Sequence, residues 1–568
     1  MFKYTHHNNE LTKTNINQTV FLKGWVSKRR NLGGLIFIDL RDQKGITQLI
    51  IEPNNPNYEK ASTIRSEFVI EVKGVVKLRS NVNKHITTGE IEVIVDELNI
   101  LSEANNTPIT IFDDEIVNED IKLKYRYLDL RKPSSSKYLI TRSKITQSIR
   151  NTLINEDFLE LETPYLVKTT PEGAKEFIIP SRLYKGSGYA LAQSPQIFKQ
   201  LYMISGFERY FQFARCFRDE ALRADRQLEF TQVDIEASFI DESFIFNLVE
   251  KILKDMFNNV LKKDIDFPLQ KITYEEAIKH YGSDSPDLRY QLKIKDYQEK
   301  ISKYEIPFLK EKESIRGLIL KENDIFTRKY FDILTKIAKQ NHGDTLAYVK
   351  RINNELTGSI AKFVDLDLLN ENEVLIIVPG KYHEASLALG AIRKRLANDL
   401  SLIDENKESL LWVTDFPLLE YDKEEKRFNA LHHPFTSPKN NDDLKNNPEN
   451  ALAKAYDIVW NGYEIGGGSI RIHNSKVQEL MFKTLGLSPD EIKTKFGFFN
   501  EALTYGTPPH GGIAFGLDRI IMLATKTDNI RDVIAFPKTQ SARDLMTDSP
   551  SPILKETLDE IHMEIKDE

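Results

Sequence analysis

Three arginines lie close together in one loop: Arg218, Arg223 and Arg226 fall within nine residues, between two strand-like runs. A guanidinium group binds phosphate oxygens through paired hydrogen bonds, so this spacing predicts a clamp for a polyphosphate. Phe230, near the start of the second run, is placed to stack on a base. The alternative is a solvated hairpin with surface ion pairs, which an isolated arginine-rich loop would favour.

A second segment, Gly511–Arg519, is a glycine-rich strand that runs into a helix with Arg519 near its start. Glycines allow a backbone to approach a ligand closely, and a cation near a helix N-terminus can hold phosphate alongside the helix dipole. The segment is neither the dinucleotide-binding fingerprint nor a P-loop. A tightly packed core strand is the alternative for this segment alone.

Two carboxylates, Asp457 and Glu464, are seven residues apart on neighbouring strand-like stretches. Hard carboxylate oxygens suit Mg²⁺ that is shared with substrate phosphates, so the pair predicts a Mg²⁺ site. The alternative is one structural carboxylate and one that pairs with an arginine.

The elements that must position these residues follow from hydrophobic periodicity. Five short alternating strands between Val20 and Leu101 predict a closed OB-fold barrel, with Phe37 on the face opposite Ile36 and Ile38. Ile145, Ile149 and Leu153 recur every four residues and predict an amphipathic helix over 137–156. The predicted domains are an OB fold (1–105), a hinge (106–136), a catalytic core (137–287 and 405–540), an inserted α+β domain (288–404) and a C-terminal extension (541–568).

Composition excludes several classes of protein. The 568 residues include 40% hydrophobic and 29% charged residues, which is ordinary for globular domains and argues against a disordered chain. One cysteine, Cys216, excludes an intrachain disulfide, and no apolar run is long enough to span a bilayer, so we expect a cytoplasmic protein without membrane contact. The net charge of −7 excludes an overall basic protein but allows a local basic face.

These segments resemble motifs 2 and 3 of the class II aminoacyl-tRNA synthetases, and the 137–156 helix leading to Leu161–Pro164 resembles motif 1, all in the family's order. Over essentially its whole length the chain resembles the bacterial-type aspartyl-tRNA synthetases of subclass b. The stretches that match are Pro171–Ala174, Gln193–Gln200, Tyr281–Asp284, His432–Phe435 and Gly462–Arg471. The resemblance implies a multidomain α+β protein with an antiparallel catalytic sheet flanked by helices, and a homodimer formed through motif 1.

The resemblance also implies an activity. L-Aspartate reacts with ATP, with Mg²⁺ as cofactor, to give aspartyl-adenylate and pyrophosphate, and aspartate then passes to the 3′-terminal adenosine of tRNA(Asp). Arg218 would contact the α-phosphate and Arg519 the γ-phosphate, with Glu220 on the adenosine side, and these three are the expected catalytic residues. The residues implied for ATP are Arg218, Asp219, Glu220, Gln227, Phe230, Glu464, Gly516, Leu517, Asp518 and Arg519.

Selection of aspartate requires cations for its second carboxylate. By the resemblance Lys199, His432 and Arg471 would surround that group, whereas a site for lysine should offer acidic partners and a site for asparagine less positive charge. The full set implied for L-aspartate is Glu172, Ser194, Gln196, Lys199, Arg218, Asp234, His432 and Arg471.

In the barrel, Phe37 is suited to stack on an anticodon base, with Arg30 and Gln48 available for hydrogen bonds to base edges. Three alternatives stay open at this point. One is an enzyme that also charges tRNA(Asn), one is a lysyl- or asparaginyl-type relative, and one is an RNA-binding paralogue without catalysis. No catalytic constellation is evident in the insertion.

Overall fold

The computed structural model describes residues 3–111, 115–169 and 175–566. Its contacts divide the chain into two compact units: Met1–Ser136 with Leu545–Thr547, and Lys137–Asp544 with Asp548–Glu568. The predicted hinge residues 106–136 therefore fall within the first unit.

The first unit is built on a closed five-stranded barrel with the strand order β1-β2-β3-β5-β4. Its strands are β1 Thr19–Leu32, β2 Leu35–Arg41, β3 Ile46–Ile51, β4 Val69–Leu78 and β5 Ile91–Ser102. Strand β2 alternates as its sequence predicts, with Ile36 and Ile38 fully buried and Phe37 half-buried on the outer face. The predicted OB-fold barrel is confirmed.

The strands that follow the barrel are, in chain order, β6 Leu159–Glu160, β7 Leu166–Val167, β8 Ile178–Pro180, β9 Gly188–Leu191, β10 Arg209–Phe217, β11 Glu229–Ser238, β12 Gln270–Thr273, β13 Lys295–Asp296, β14 Ser314–Lys321, β15 Ala347–Ile352, β16 Glu355–Gly358, β17 Glu373–Gly380, β18 Leu410–Thr414, β19 Leu419–Asp422, β20 Arg427–Ala430, β21 Ala455–Trp460, β22 Tyr463–Ile470 and β23 His510–Gly516.

The α-helices are α1 Tyr58–Thr63, α2 Glu119–Lys124, α3 Arg126–Asp129, α4 Pro133–Asn155, α5 Gln196–Ile204, α6 Glu242–Met256, α7 Tyr274–Tyr281, α8 Gln298–Ser302, α9 Arg328–Gln340, α10 Tyr382–Asp399, α11 Asn441–Asn446, α12 Ser475–Thr484, α13 Pro489–Ala502, α14 Leu517–Ala524, α15 Ile530–Val533 and α16 Lys555–Glu560. Helix α4 covers nearly all of the predicted 137–156 helix. By the criterion of length and apolarity, no helix in the described part of the chain could cross a membrane.

The second unit is organised around an eight-stranded sheet with the order β12-β18-β21-β22-β23-β11-β10-β6. Its pairs are antiparallel except β12–β18 and β10–β6, which are parallel. The apolar stripe of α4 packs with α6 against one face of this sheet. Burial of that stripe explains why the four-residue spacing of Ile145, Ile149 and Leu153 specifies a helix here.

Glycines cluster in the middle of this sheet, on β22 and β23. A Cβ added at Gly468 would lie 2.1 Å from the carbonyl oxygen of Gly512, and one added at Gly512 would lie 2.1 Å from Glu236 Oε2. Glycine is therefore required where β22, β23 and β11 meet, because any larger residue would displace the backbone or the Glu236 carboxylate.

The inserted domain has its own five-stranded sheet, ordered β13-β14-β17-β15-β16. Alternate residues of β17 enter two separate cores: Val374, Ile376 and Val378 pack with α9 and α10, while Leu375 and Ile377 face the other side. The near-continuous apolar run Val374–Val378 is thus a strand buried on both faces. This sheet with α9 and α10 has the mixed α and β content predicted for the insertion.

Candidate active site

Two adjoining cavities lie over the middle of the eight-stranded sheet. The first, of about 460 Å³, is named here the Lys199 cavity, and the second, of about 280 Å³, the Arg519 cavity. Both are lined by Arg218 and Glu464. A ligand that fills both cavities would therefore pass between these two side chains.

Most of the sequence-predicted residues line these cavities. The Lys199 cavity is lined by Ser194, Gln196, Lys199, Arg218, Asp234, His432, Asp457, Glu464 and Arg471. The Arg519 cavity is lined by Arg218, Glu220, Gln227, Phe230, Glu464, Gly516, Asp518 and Arg519. Asp219 is exposed and lines neither cavity, the buried side chain of Leu517 packs in the core, and Glu172 lies outside the described residues.

The β10–β11 hairpin positions the arginine loop. Cys216 is in register with Phe230, and the guanidinium of Arg218 lies 5.2 Å from the centre of the Phe230 ring. Arg218 Nε is buried without a hydrogen-bond partner. A buried donor without a partner is costly, so its position in the wall of both cavities suits an anionic ligand.

The other members of the Arg519 cavity are held by protein contacts. Arg519 Nη1 donates to the Glu464 carbonyl at 2.5 Å, and Nη2 lies 3.3 Å from Asp225. Asp518 accepts from Arg142 and from the Thr231 N–H. The side-chain amide of Gln227 is paired with the backbone of Lys538, at 2.9 and 3.1 Å, and Glu220 pairs with Arg226 at 2.9 Å.

A network of buried charges forms one wall of the Lys199 cavity. Lys199 Nζ lies 2.9 Å from Asp234 and 3.1 Å from Glu236, while Arg471 donates to both oxygens of Glu236 at 3.0 and 3.1 Å. All four side chains are at most 2% exposed. Lysine has three donors and arginine five, so each cation keeps donor capacity beyond these pairs.

The two carboxylates of this network differ in protonation behaviour. Burial raises the pKa of Asp234, and the charge of Lys199 opposes this only in part. Burial acts on Glu236 in the same direction, but the charges of Arg471 and Lys199 outweigh it and lower the pKa to about 2. Glu236 is therefore the fixed negative charge that holds both cations in place.

Sequence reasoning missed three members of this wall: Glu236, His433 and Ser469. Arg471 Nη1 lies 2.6 Å from His433 Nε2 and donates to Ser469 Oγ at 2.7 Å. Burial and the charge of Arg471 lower the pKa of His433 well below its usual range, so this imidazole is neutral. The alternation of Asp234 and Glu236 with apolar residues on β11 was the one sequence signal for Glu236.

The predicted metal pair lies beside this wall. The charge of Asp457, followed by burial, raises the pKa of Glu464 to about 7. Asp457 Oδ1 is buried without a hydrogen-bond partner, and a Cβ added at Gly467 would lie 2.7 Å from it and 3.1 Å from Glu464 Oε1. Two repelling carboxylates that converge on a space kept open by glycine fit a divalent cation.

Further protein ligands for a cation are scarce. Within the described ranges no three side chains of His, Cys, Asp or Glu are grouped so that they could hold a metal. His432 Nε2 is 3.8 Å from Asp457, and its other ring nitrogen is buried without a partner. A cation bound here would complete its coordination with water or ligand oxygens, as Mg²⁺ commonly does.

Comparison with known proteins places this architecture. A family model described as tRNA synthetases class II (D, K and N) matches residues 118–540, and one described as an OB-fold nucleic acid binding domain matches residues 20–101. The chain belongs to the class II tRNA synthetases. The synthetase is 49% identical, over 99% of both chains, to the protein named Aspartate--tRNA ligase of Aster yellows witches'-broom phytoplasma.

Other relatives have related names. The Aspartate--tRNA(Asp/Asn) ligase of Caldanaerobacter subterraneus is 48% identical over 99% of this chain and 98% of its own. Among solved structures, asparaginyl-tRNA synthetase from Pyrococcus horikoshii complexed with asparaginyl-adenylate has a TM-score of 0.60 at 20% identity, and covers 95% of this chain and 99% of that chain. That structural likeness shows the fold.

The synthetase's predicted anticodon residues share one face of the barrel. Arg30 pairs with Phe37 across β1 and β2, and its Nη2 lies 3.0 Å from Asp39 and 3.5 Å from Gln48 Oε1. Gln48 is only 3% exposed and donates to Glu92 at 2.9 Å. Phe37 therefore offers a half-buried ring on the outer face, whereas Gln48 lies beneath the surface within a polar network.

Proposed function

We propose that the protein is an aspartate–tRNA ligase that works in the cytoplasm. It activates L-aspartate with ATP and transfers it to the 3′-terminal adenosine of tRNA(Asp). The observation that carries the proposal is the buried pair of cations, Lys199 and Arg471, in the wall of the Lys199 cavity. Buried cations with spare donors suit a substrate whose side chain is a carboxylate, and they suit lysine poorly.

The first step needs positioning more than acid–base chemistry. The aspartate α-carboxylate attacks the α-phosphorus of ATP, the bond to the bridging oxygen breaks, and pyrophosphate leaves. Arg218 lines both cavities, so its guanidinium can bind the α-phosphate between the two substrates. Arg519 binds the γ-phosphate, Phe230 stacks on the adenine, and Glu220 and Gln227 lie on the adenosine side. The nucleophile is already ionised, so no side-chain base is required.

Asp457 and Glu464 would hold Mg²⁺ together with ATP, and the bound cation would supply positive charge that neutralises the phosphates. In the absence of the cation the protein keeps one of these carboxylates partly protonated, as the raised pKa of Glu464 indicates. In the second step the 3′-hydroxyl of the tRNA attacks the adenylate carbonyl, its proton passes to a phosphate oxygen, and AMP leaves.

The remaining partners follow from surfaces outside the cavities. The outer face around Phe37 binds the anticodon by stacking, with Arg30 at a base edge. The buried Gln48, which lies 3.5 Å from Arg30, supports that arginine from below. Exposed apolar side chains lie at the end of α4 and in the two strands after it, with Ile154, Leu159 and Leu166 each about half exposed. They support a homodimer formed through this motif 1 region.

Two assays test the proposal. Pyrophosphate exchange is measured with aspartate, asparagine and lysine, beside aminoacylation of purified tRNA(Asp) and tRNA(Asn). Exchange with aspartate alone and charging of tRNA(Asp) alone are expected. Charging of both tRNAs would make it the less selective type of enzyme that the name of the Caldanaerobacter relative describes. Exchange with none of the three amino acids would refute catalysis and favour an RNA-binding paralogue.

A further inference from the structure

Two arginines of the inserted domain are buried without a carboxylate partner among the described residues. Arg316, on β14, is 1% exposed and donates to the Lys279 carbonyl at 2.5 Å and to Ser386 Oγ at 2.6 Å. Arg393, on α10, is 3% exposed and donates to the carbonyls of Leu292 at 2.5 Å and Asp287 at 2.8 Å. Both cations thus bind the 279–292 backbone.

This backbone is the C-terminal end of α7 and the segment after it. The last carbonyls of a helix lack intrahelical donors and form the negative end of its dipole, so a guanidinium is a fitting partner there. The two backbones also touch directly. Gly282 ends α7 with φ of +63°, and a Cβ added at Gly390 of α10 would lie 2.0 Å from its carbonyl oxygen. The insertion and the core are therefore joined without intervening side chains.

The segment lies between the insertion and the catalytic sheet. On its far side, a Cβ added at Gly462, in the turn between β21 and β22, would lie 2.9 Å from Asp287 Cβ. Strands β21 and β22 bear Asp457 and Glu464. Between these two contacts, Asp284 lines the Lys199 cavity, and it does not line the Arg519 cavity.

We propose that Arg316 and Arg393 are positioning residues for amino-acid binding: the insertion holds segment 279–292 so that Asp284 lines the Lys199 cavity. The inference rests on the proposed function, because it assigns that cavity to the amino acid. The Asp284 carboxylate suits the substrate's ammonium group, while Lys199 and Arg471 suit its side chain. The inserted domain is on this account a part of the amino-acid site.

The proposal predicts that the KM for aspartate changes while the KM for ATP does not. Arg393→Met, Arg316→Met and Asp284→Asn should each raise the aspartate KM in pyrophosphate exchange about fivefold to tenfold. The ATP KM should stay within about twofold of wild type, because the Arg519 cavity does not include this segment. A purely structural role would lower the active fraction without separating the two KM values.

The matched control is Arg395→Met. Arg395 lies two residues after Arg393 on α10, but it is on the surface and pairs with Asp399 at 2.5 Å. Asp284 is exposed, so Asp284→Asn tests the segment even if an arginine variant fails to fold. The double variant Arg393→Met with Asp284→Asn tests whether Arg393 acts through Asp284, because the effects of two mutations are not additive when one residue acts through the other.

Three outcomes decide the matter. The proposal stands if only the aspartate KM rises, if Arg395→Met behaves as wild type, and if the aspartate KM of the double variant does not exceed that of the more affected single variant. It is overturned if the aspartate KM and the ATP KM rise together, or if Asp284→Asn leaves the aspartate KM unchanged. It is also overturned if the KM increases of the two single variants multiply in the double variant. Absence of aspartate-dependent exchange in the wild type would instead refute the proposed function.

Discussion

Glu236 is the residue on which the buried charge network depends, and its replacement by glutamine should destabilise the catalytic unit. The carboxylate is fully buried and binds both Lys199 and Arg471. Glu236→Gln keeps the size of the side chain but removes its charge. Two buried cations would then face a single carboxylate, Asp234, whose own pKa is raised by burial.

The magnitude follows from the proton affinity. Burial opposes ionisation, yet Arg471 and Lys199 lower the pKa of Glu236 from 4.5 to about 2. Each tenfold change in proton affinity is worth about 1.4 kcal/mol, so the folded environment favours the carboxylate by about 3 kcal/mol. Because the folded pKa is the lower one, this stabilisation is complete above about pH 4.5 and is lost as the pH falls toward 2.

The assay is urea unfolding followed by tryptophan fluorescence. Trp412 and Trp460 are buried in the same core and report on the catalytic unit. Glu236→Gln should lower the free energy of unfolding by about 3 kcal/mol at pH 7 and at pH 5, and by less below about pH 4. Glu479→Gln is the control, because Glu479 pairs with Lys483 on the surface of α12. Equal urea midpoints for the two variants would refute the reasoning.

Three further changes test the site. Arg519→Ala should lower kcat/KM for pyrophosphate exchange about a hundredfold, and exchange at the wild-type rate would remove it from the ATP site. Gly467→Ala places a methyl group 2.7 Å from Asp457 Oδ1, so the Mg²⁺ concentration for half-maximal exchange should rise, whereas an unchanged requirement would argue against a cation there. Phe37→Ala should raise the tRNA KM about tenfold in aminoacylation and leave exchange unchanged; equal damage to both would defeat the anticodon role.

The spacing of apolar residues along the sequence was sufficient to predict several elements of the fold. The two-residue alternation of β2 and the four-residue spacing in α4 are each generated by one buried face, so they can be read from neighbouring residues. The start of α4 could not be predicted from this spacing, because Pro133 fits the first turn of a helix without adding to the apolar stripe. The inserted domain was visible through its composition and through one fully buried run within a strand, Val374–Val378.

The buried wall of the Lys199 cavity could not be read in this way. Glu236 lies opposite Gly512, and Gly512 lies opposite Ser469, two residues before Arg471. The three strands come from distant parts of the chain, so the contact between Glu236 and Arg471 exists only once the register of β11, β23 and β22 is fixed. Gln48 shows the same limit in the barrel, since its burial depends on Glu92 of β5.

The glycine-lined middle of the catalytic sheet has a consequence for how such a protein changes its substrate over evolution. At Gly468 and Gly512 an added Cβ would lie about 2 Å from a carbonyl or carboxylate oxygen, so neither position can gain a side chain that recognises a different amino acid. New substrate choices must therefore arise in the charged wall of the Lys199 cavity, through residues such as Lys199 and Arg471. One family model that spans D, K and N enzymes is what a shared glycine-rich sheet with exchangeable charges would produce.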